Sequence, residues 1–281
     1  MRIGSIEGRL VIVVGDRALD VENASGGRFS SDPQAVYEQW TDFVDWARTA
    51  DAHSGQVVSE TQFDAPVPRP RQVFAIGLNY VEHAKEGRFD LPTDPVVFTK
   101  FQSSIGSPNT DIELPSENTD YEVELVVVLG RAGYRVPIDE GWDYVAGLTI
   151  GQDISERVVQ RRGPAPQYSV GKSYPNFAPI GPVVVTPDEF ADRDAISLKT
   201  ELVTGEGTVV KQDGNTRDLI FSVPDLVSRL SQSLHLWPGD IIFTGTPSGV
   251  GMGKNPPEYL HRGETLVSTI EGIGSIRNRL V

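Results

Sequence analysis

Short runs of apolar and β-branched residues, separated by glycine, proline and polar turns, make up most of the chain after residue 70. Such runs between turn residues are typical of β-strands. The strands predicted from this pattern are 73–78, 96–100, 121–129, 144–152, 182–186, 196–204, 208–212, 241–244 and 264–271. A hairpin turn at Thr204-Gly205-Glu206-Gly207 joins two of them.

Apolar residues at helical spacing predict two main helices. Asp32 and Pro33 supply a cap and a first-turn proline for one helix, whose apolar stripe is Val36, Trp40, Phe43, Val44 and Ala47. The second begins at Ser222 with Asp225 placed as in a capping box, and its stripe is Leu226, Leu230 and Leu234. Because strands outnumber helices and do not alternate with them regularly, we predict a β-rich α+β fold with a rolled or sandwiched mixed sheet.

The proline-rich segment 66–70 divides the pattern into two parts. Residues 1–65 contain short strands and the first helix, which predicts a small N-terminal α+β domain. Residues 71–281 contain the remaining strands and form the predicted main domain.

The composition narrows the function classes. The chain has 281 residues, a formal net charge of −14 and no cysteine. An acidic protein is repelled by nucleic acid and by anionic membranes, and the absence of cysteine excludes thiolate sites and cysteine nucleophiles. No apolar run is long enough to cross a bilayer. We therefore expect a soluble, cytoplasmic protein that binds neither nucleic acid nor membrane.

Two acidic residues lie inside the predicted strand 121–129. Side chains two residues apart in a strand share a face, so Glu122 and Glu124 lie on the same side as the apolar Val126 and Val128. Asp153 follows the next predicted strand. These three carboxylates suit a hard divalent cation such as Mg²⁺, Mn²⁺ or Ca²⁺. The alternative is a solvent-facing glutamate pair on an edge strand.

Further polar residues follow other predicted strands. His83 and Glu86 lie one helical turn apart, so the carboxylate can orient the imidazole as a general base for water; an exposed histidine with a chance glutamate neighbour is the alternative. Arg157 and Gln160 can share a helical face with Asp153, Lys172 lies in a polar loop, and residues 244–251 form a glycine-rich loop. Each of these segments is also compatible with ordinary surface structure.

The order of these motifs is more specific than any one of them. It resembles the fumarylacetoacetate hydrolase family, in particular its bacterial acylpyruvase and 2-oxo-dienoate isomerase branch, from about residue 73 to the C-terminus. The motifs are Asn79-Tyr80 with His83 and Glu86, then Val97-Phe98-Thr99-Lys100, Glu122-Val123-Glu124, Gln152-Asp153 with Arg157 and Gln160, Gly171-Lys172-Ser173, and Thr244 to Gly251. Phe101 departs from the proline that many members have there, which affects the expected pocket wall.

The resemblance implies a mixed β-sandwich roll, a homodimer and a site with Mg²⁺ or Mn²⁺ held by Glu122, Glu124 and Asp153. It implies that His83 and Glu86 activate water from a short helix closing over the site, and that Lys172 stabilises the developing enolate. Substrate contacts are implied for Lys100, Arg157, Gln160 and Thr246.

The expected function is metal-dependent hydrolysis of a carbon–carbon bond in an acylpyruvate or fumarylacetoacetate-type 1,3-dicarbonyl acid. Such a 2-oxo acid chemistry is consistent with aromatic catabolism. The same site chemistry also suits an oxaloacetate decarboxylase or a 2-hydroxyhepta-2,4-diene-1,7-dioate-type isomerase. A non-catalytic, metal-stabilised domain that binds a metabolite is the further alternative.

Overall fold

The structure, a computed structural model, describes residues 1–87 and 90–281. Its strands are β1 (Arg2–Ile6), β2 (Arg9–Val14), β3 (Arg17–Asp20), β4 (Gln56–Val57), β5 (Phe63–Asp64), β6 (Val73–Gly77), β7 (Val96–Thr99), β8 (Ile105–Gly106), β9 (Thr119–Asp120), β10 (Val123–Leu129), β11 (Val145–Gln152), β12 (Ser155–Glu156), β13 (Ala178–Val185), β14 (Ser197–Thr204), β15 (Gly207–Asn215), β16 (Ile241–Phe243), β17 (Thr265–Ile270) and β18 (Gly274–Arg279).

The α-helices are α1 (Val21–Ala24), α2 (Trp40–Ala47), α3 (Val81–Glu86), α4 (Arg157–Gln160), α5 (Tyr168–Gly171) and α6 (Val223–Ser233). Short 3₁₀ helices span Ala35–Gln39, Ala52–Ser54, Glu60–Gln62, Gln102–Ser104, Ile138–Tyr144, Pro187–Glu189, Thr216–Asp218 and Gly251–Gly253. None of the helices in the described ranges has the length and apolar character that spanning a membrane requires.

The main sheet runs in the order β4-β3-β2-β1-β13-β11-β10-β16-β6-β7, with β5 paired to β1 and β8 to β13. It is mixed, because β16 pairs with β6 in parallel while β10 pairs with β11 and β16 in antiparallel fashion. A second sheet has the order β15-β14-β17-β18, and β12 pairs with β9. These strand-rich mixed sheets confirm the predicted fold class.

Strand β10 lies between two cores because its side chains alternate between the faces of the sheet. Leu125 and Val127 pack in the core shared with the second sheet and α6. Val126 and Val128 pack in the opposite core, which includes Phe43 of α2. The strand is therefore buried on both faces; β11 pairs along its length, including Glu124, and β16 pairs with residues 126–128.

Some local predictions differ from the structure. The helix predicted to begin at Asp32 corresponds to α2, which begins at Trp40 after a 3₁₀ segment. Ser222 caps α6 without a side-chain hydrogen bond, so the capping box is not formed. Leu234 is 39% exposed because α6 ends before it, whereas Leu226 and Leu230 are buried as predicted.

The N-terminal strands continue the main sheet, because β1 pairs with β13 through residues such as Ile3 and Val184. The proline-rich segment therefore connects two parts that share one sheet. The division into residues 1–65 and 71–281 stays a prediction about domain organisation.

Candidate metal and active site

Three buried carboxylates meet where β10 begins and β11 ends. Glu124 lies opposite Gly151 in the antiparallel pair, and the N–H of Asp153 donates to the carbonyl of Glu122 at 2.8 Å. Each of the three carboxylates offers one oxygen, and these oxygens all lie within 4.8 Å of one another. The two strands thus bring together the residues Glu122, Glu124 and Asp153 that the sequence predicts as metal ligands.

Cationic side chains neutralise two of these carboxylates. The ammonium of Lys172 lies 2.7 Å from Glu122 and 2.6 Å from Asp153. The guanidinium of Arg157 lies 2.8 Å from the other oxygen of Glu122. Glu124 has no such partner among the described residues, and its carboxylate accepts a hydrogen bond from the N–H of Gly245 at 2.7 Å.

This unequal pairing separates the pKa values of the two glutamates. Burial alone would raise the pKa of Glu122, but the charges of Lys172 and Arg157 outweigh burial and lower it well below its ordinary value. Burial and the neighbouring charges of Asp153 and Glu122 raise the pKa of Glu124 well above its ordinary value. Glu124 is therefore the carboxylate that lacks positive charge in the metal-free protein.

The donor set fits a hard divalent cation. Carboxylate oxygens are the ligands that Mg²⁺, Mn²⁺ and Ca²⁺ prefer, and buried carboxylates need compensating charge. A cation beside Glu124 would supply the positive charge that the protein itself does not provide there.

Lys100 contacts one member of the triad, Asp153. The substrate contact that the family resemblance implies for Lys100 stays a prediction. Its side chain is fully buried, and its ammonium donates to Asp153 at 2.6 Å and to the carbonyl of Lys172. Lys100 therefore holds the carboxylate of Asp153 through a buried ion pair. Phe101 is 51% exposed and lies outside the cavity lining, so its departure from the family pattern does not alter this wall.

The structure also brings His83 and Glu86 together on α3. Nδ1 of His83 lies 3.4 Å from Oε2 of Glu86, one helical turn away. The carboxylate of Glu86 also accepts a hydrogen bond from the N–H of Gly249, in the glycine-rich loop. Both side chains are partly buried.

A cavity of about 570 Å³ joins these groups. The residues that line it and that the sequence indicates for the site are His83, Glu86, Glu122, Glu124, Arg157, Gln160, Lys172 and Thr246. Gln160 accepts a hydrogen bond from Arg157 at 3.1 Å. The hydroxyl of Thr246 donates to the carbonyl of Val123 at 2.9 Å, which attaches the glycine-rich loop to β10.

Asp120 is a buried residue of this region that the sequence interpretation missed. Its Oδ2 accepts hydrogen bonds from Nε and Nη2 of Arg157 at 2.9 and 2.7 Å. The Oδ1 of Asp120 accepts a hydrogen bond from the N–H of Gly251 at 2.8 Å, and Oδ2 accepts one from the N–H of Met252 at 2.9 Å. Asp120 precedes Glu122 by two residues, so the same alternation that indicates Glu122 and Glu124 was the available signal.

Comparison with known proteins places this arrangement in a family. Residues 72–281 match the fumarylacetoacetate (FAA) hydrolase C-terminal family. The chain is 41% identical over 225 residues to the human oxaloacetate tautomerase FAHD2A, mitochondrial, with 79% of this chain and 70% of that protein covered.

Two further matches extend the comparison. The chain is 40% identical over 238 residues to the 2,4-didehydro-3-deoxy-L-rhamnonate hydrolase of Sphingomonas sp. strain SKA58, with 83% and 82% of the two chains covered. The crystal structure of a candidate HpcE protein from Mycobacterium smegmatis has a TM-score of 0.94 at 47% identity, covering 100% of this chain and 99% of that one.

Proposed function

Because this chain belongs to the fumarylacetoacetate hydrolase family, we propose that it is a metal-dependent hydrolase that cleaves the carbon–carbon bond of acylpyruvates and related 2,4-dioxo acids. One observation carries the proposal: the His83–Glu86 pair and two carboxylates of the triad, Glu122 and Glu124, line the same cavity. A positioned base for water therefore faces the site where a chelating oxo acid would bind.

The proposed metal ligands are Glu122, Glu124 and Asp153, and the proposed ion is Mg²⁺ or Mn²⁺, with Ca²⁺ compatible with the same oxygen donors. When bound, such an ion supplies Lewis-acid polarisation of substrate oxygens. Lys172 and Arg157 each contact one oxygen of Glu122, which fixes the orientation of that carboxylate.

The proposed reaction consumes one water molecule. The imidazole of His83 accepts a proton as the water oxygen attacks the C4 carbonyl, and Glu86 orients the ring. The C3–C4 bond then breaks, its electron pair forms the enolate of pyruvate, and the acyl part leaves as a carboxylate. The ammonium of Lys172, which lines the cavity, is placed to stabilise the negative charge that develops on the substrate oxygen. The imidazolium of His83 gives its proton to C3, which completes the release of pyruvate, and the acyl acid loses the second proton of the water to solvent.

A His83→Ala variant tests the proposal. We expect pyruvate formation from acetylpyruvate with Mn²⁺ to fall by about 10²–10⁴-fold, the usual contribution of a general base. Mn²⁺ affinity measured by calorimetry should stay unchanged, because His83 is not one of the proposed ligands. The exposed His261 provides the control, and His261→Ala should retain wild-type turnover. Near wild-type hydrolysis by His83→Ala would contradict the role of His83.

The name of one relative favours hydrolysis of this substrate class. The rhamnonate derivative in that name is a sugar acid oxidised at C2 and C4, which is a 2,4-dioxo acid. An observation also favours a second candidate, since another relative is named an oxaloacetate tautomerase. Tautomerisation, decarboxylation and dienoate isomerisation move protons or carbon dioxide without an attacking water.

Parallel assays separate these candidates. If oxaloacetate or a 2-oxo-dienoate diacid turns over while 2,4-dioxo acids do not, the second class is correct. If none of the substrates turns over with Mg²⁺ or Mn²⁺, a metabolite-binding role becomes the better explanation.

We further propose a cytoplasmic homodimer whose contacts lie in the region after Pro70. The apolar side chains of Val97, Phe101 and Val170 support this proposal, because they are exposed around one groove. Light scattering of the full chain tests the dimer, and a Phe101→Ser/Val170→Ser variant should shift it toward monomer. A monomeric wild-type protein would contradict the proposal.

A further inference from the structure

Most of the charges around the cavity are balanced within the protein. Arg157 is paired with Asp120 and Glu122, and Lys172 with Glu122 and Asp153. These side chains are almost fully buried, so their charges are committed to one another. They leave little positive charge for a second anionic group of a ligand.

Two cations at the cavity wall, Lys254 and Arg161, are not fully balanced by carboxylates of the described residues. Lys254 shares the single carboxylate of Glu258 with Lys211, at 2.7 and 3.0 Å, so this cluster retains one positive charge. Arg161 has no ion-pair partner among residues 1–87 and 90–281, and its Nε donates to the carbonyl of Arg157 at 3.4 Å. Both Arg161 and Lys254 line the cavity.

The position of Arg161 relates it to the triad. It directly follows α4 as the C-cap residue and lies four residues after Arg157, which is about one helical turn or roughly 6 Å along the helix axis. Arg157 itself contacts Glu122. Apolar side chains, including Phe98, Val250 and Met252, form other parts of the same wall. The cavity therefore combines two carboxylates of the triad, Glu122 and Glu124, with a partly apolar wall and the guanidinium of Arg161, which has no ion-pair partner among the described residues.

We propose that Arg161, assisted by Lys254, forms a second anion subsite that binds a distal carboxylate of the substrate. This inference rests on the proposed function, because the first carboxylate and the 2-oxo group are assigned to the triad end of the cavity. The preferred substrates are then dicarboxylic 2-oxo acids whose two carboxylates are separated by a short carbon chain. A guanidinium is well suited to this task because it donates two parallel hydrogen bonds to a carboxylate.

The overall charge makes such a subsite useful for capture. A chain of net charge −14 repels a dianion, so local positive charge at the cavity is needed to attract it. The charge of Arg161 and the one excess positive charge of the Lys211, Lys254 and Glu258 cluster would raise the local concentration of a dianionic ligand.

A matched pair of non-hydrolysable ligands tests the subsite without turnover. 2-Oxoheptanedioate and 2-oxoheptanoate have the same chain length and 2-oxo acid head, differ in the terminal carboxylate, and lack the 4-oxo group that the proposed hydrolysis requires. Their affinities are measured by calorimetry on the full-length, Mn²⁺-loaded protein. We expect the wild type to bind the diacid at least about tenfold more tightly, the usual effect of one hydrogen bond to a charged group.

Neighbouring arginines provide the matched variants. Arg161→Gln should lower the preference for the diacid about tenfold and leave monoacid affinity unchanged, whereas Arg161→Lys should keep part of the preference. Arg162→Gln removes the same charge from an exposed side chain outside the cavity lining, and should keep the full preference. An equal loss in both glutamine variants would indicate general electrostatics and overturn the subsite.

The outcomes for the subsite and for the reaction are distinguishable. A wild type without diacid preference, or an Arg161→Gln variant that keeps the preference, overturns the subsite even if acylpyruvates are hydrolysed. A diacid preference that Arg161→Gln removes supports the subsite even if no 2,4-dioxo acid is hydrolysed, in which case the proposed reaction is wrong.

Discussion

The carboxylate of Glu86 accepts a hydrogen bond from the N–H of Gly249 at 3.1 Å while its Oε2 lies 3.4 Å from Nδ1 of His83. One side chain thus joins the helix that carries His83 to the glycine-rich loop. Gly253 lies against the same carboxylate, because a Cβ there would be 2.5 Å from Cδ of Glu86. The loop and the helix are therefore fitted to each other, and the position of His83 depends on both.

Replacing Glu86 by glutamine removes the negative charge and keeps the size of the side chain nearly unchanged. The amide oxygen can still accept from Gly249, but the neutral group no longer stabilises the imidazolium that forms as His83 takes a proton. We expect kcat for acetylpyruvate to fall about 10–100-fold, with a smaller change in KM. Glu82→Gln is the control, since Glu82 is exposed and paired with Lys85 on the same helix. Equal rates for the wild type and Glu86→Gln would remove Glu86 from the mechanism.

Replacing Glu124 by glutamine should abolish most Mn²⁺ binding, because the ligand set loses the carboxylate that lacks a cationic partner. Calorimetry measures the loss, and Glu113→Gln, at an exposed position, is the control. Unchanged affinity in Glu124→Gln would contradict the proposed ligand set.

The Glu124→Gln variant also tests how the stability of the metal-free protein depends on pH. In the chelator-treated protein the pKa of Glu124 is raised by burial and by Asp153 and Glu122, so the folded state holds a proton that the unfolded chain releases. The contribution of Glu124 to the free energy of unfolding is fully present below the ordinary carboxyl pKa. It is lost as the pH rises through the raised pKa of the folded state. The pKa of Glu122 is lowered, so above the ordinary carboxyl pKa its contribution to the free energy of unfolding does not change with pH. The melting temperature of the wild type should therefore fall with rising pH relative to that of Glu124→Gln. Parallel pH profiles would contradict the raised pKa.

The sequence predicts those features of the site that depend on local pattern. Alternation in the strand that became β10 places Glu122 and Glu124 on one face, and helical spacing joins His83 to Glu86. The sequence pattern does not predict features of the site that depend on which distant segments become neighbours. Lys100 reaches Asp153 only because residues 100 and 153 are brought together by the folded sheet, and no spacing in the chain encodes that contact. The pairing of β1 with β13 is likewise non-local.

Position 251 has no room for a side chain larger than that of glycine. A Cβ there would lie 1.8 Å from the carbonyl oxygen of Glu258 and 2.7 Å from Oδ1 of Asp120, so the loop backbone would have to move. We expect Gly251→Ala to lower kcat/KM at least about tenfold, because small displacements of positioned groups have large effects on rate. Gly205→Ala introduces the same methyl group into open space in a hairpin turn and should retain wild-type activity. Steady-state kinetics of the two variants gives the comparison, and wild-type activity in Gly251→Ala would show that the loop is not held in place as described.

The buried pair of Asp120 and Arg157 should behave as a unit in stability measurements. Asp120→Asn leaves the guanidinium of Arg157 in a buried site with one carboxylate partner fewer, which typically costs about 3–5 kcal/mol in the free energy of unfolding. Removing both charges, in Asp120→Asn/Arg157→Gln, should cost less than the sum of the single changes, because Asp120 and Arg157 no longer leave each other uncompensated and Glu122 keeps Lys172 as its partner. Urea unfolding of the metal-free protein measures Asp120→Asn, Arg157→Gln and the double variant. Asp240→Asn is the buried control. The carboxylate of Asp240 accepts hydrogen bonds from the N–H groups of Gln72 and Trp237 and forms no ion pair among the described residues. The free-energy cost of Asp240→Asn should therefore add to that of Arg157→Gln when the two changes are combined. Strict additivity at Asp120 and Arg157 would mean that the pair does not stabilise the wall between the metal ligands and the glycine-rich loop.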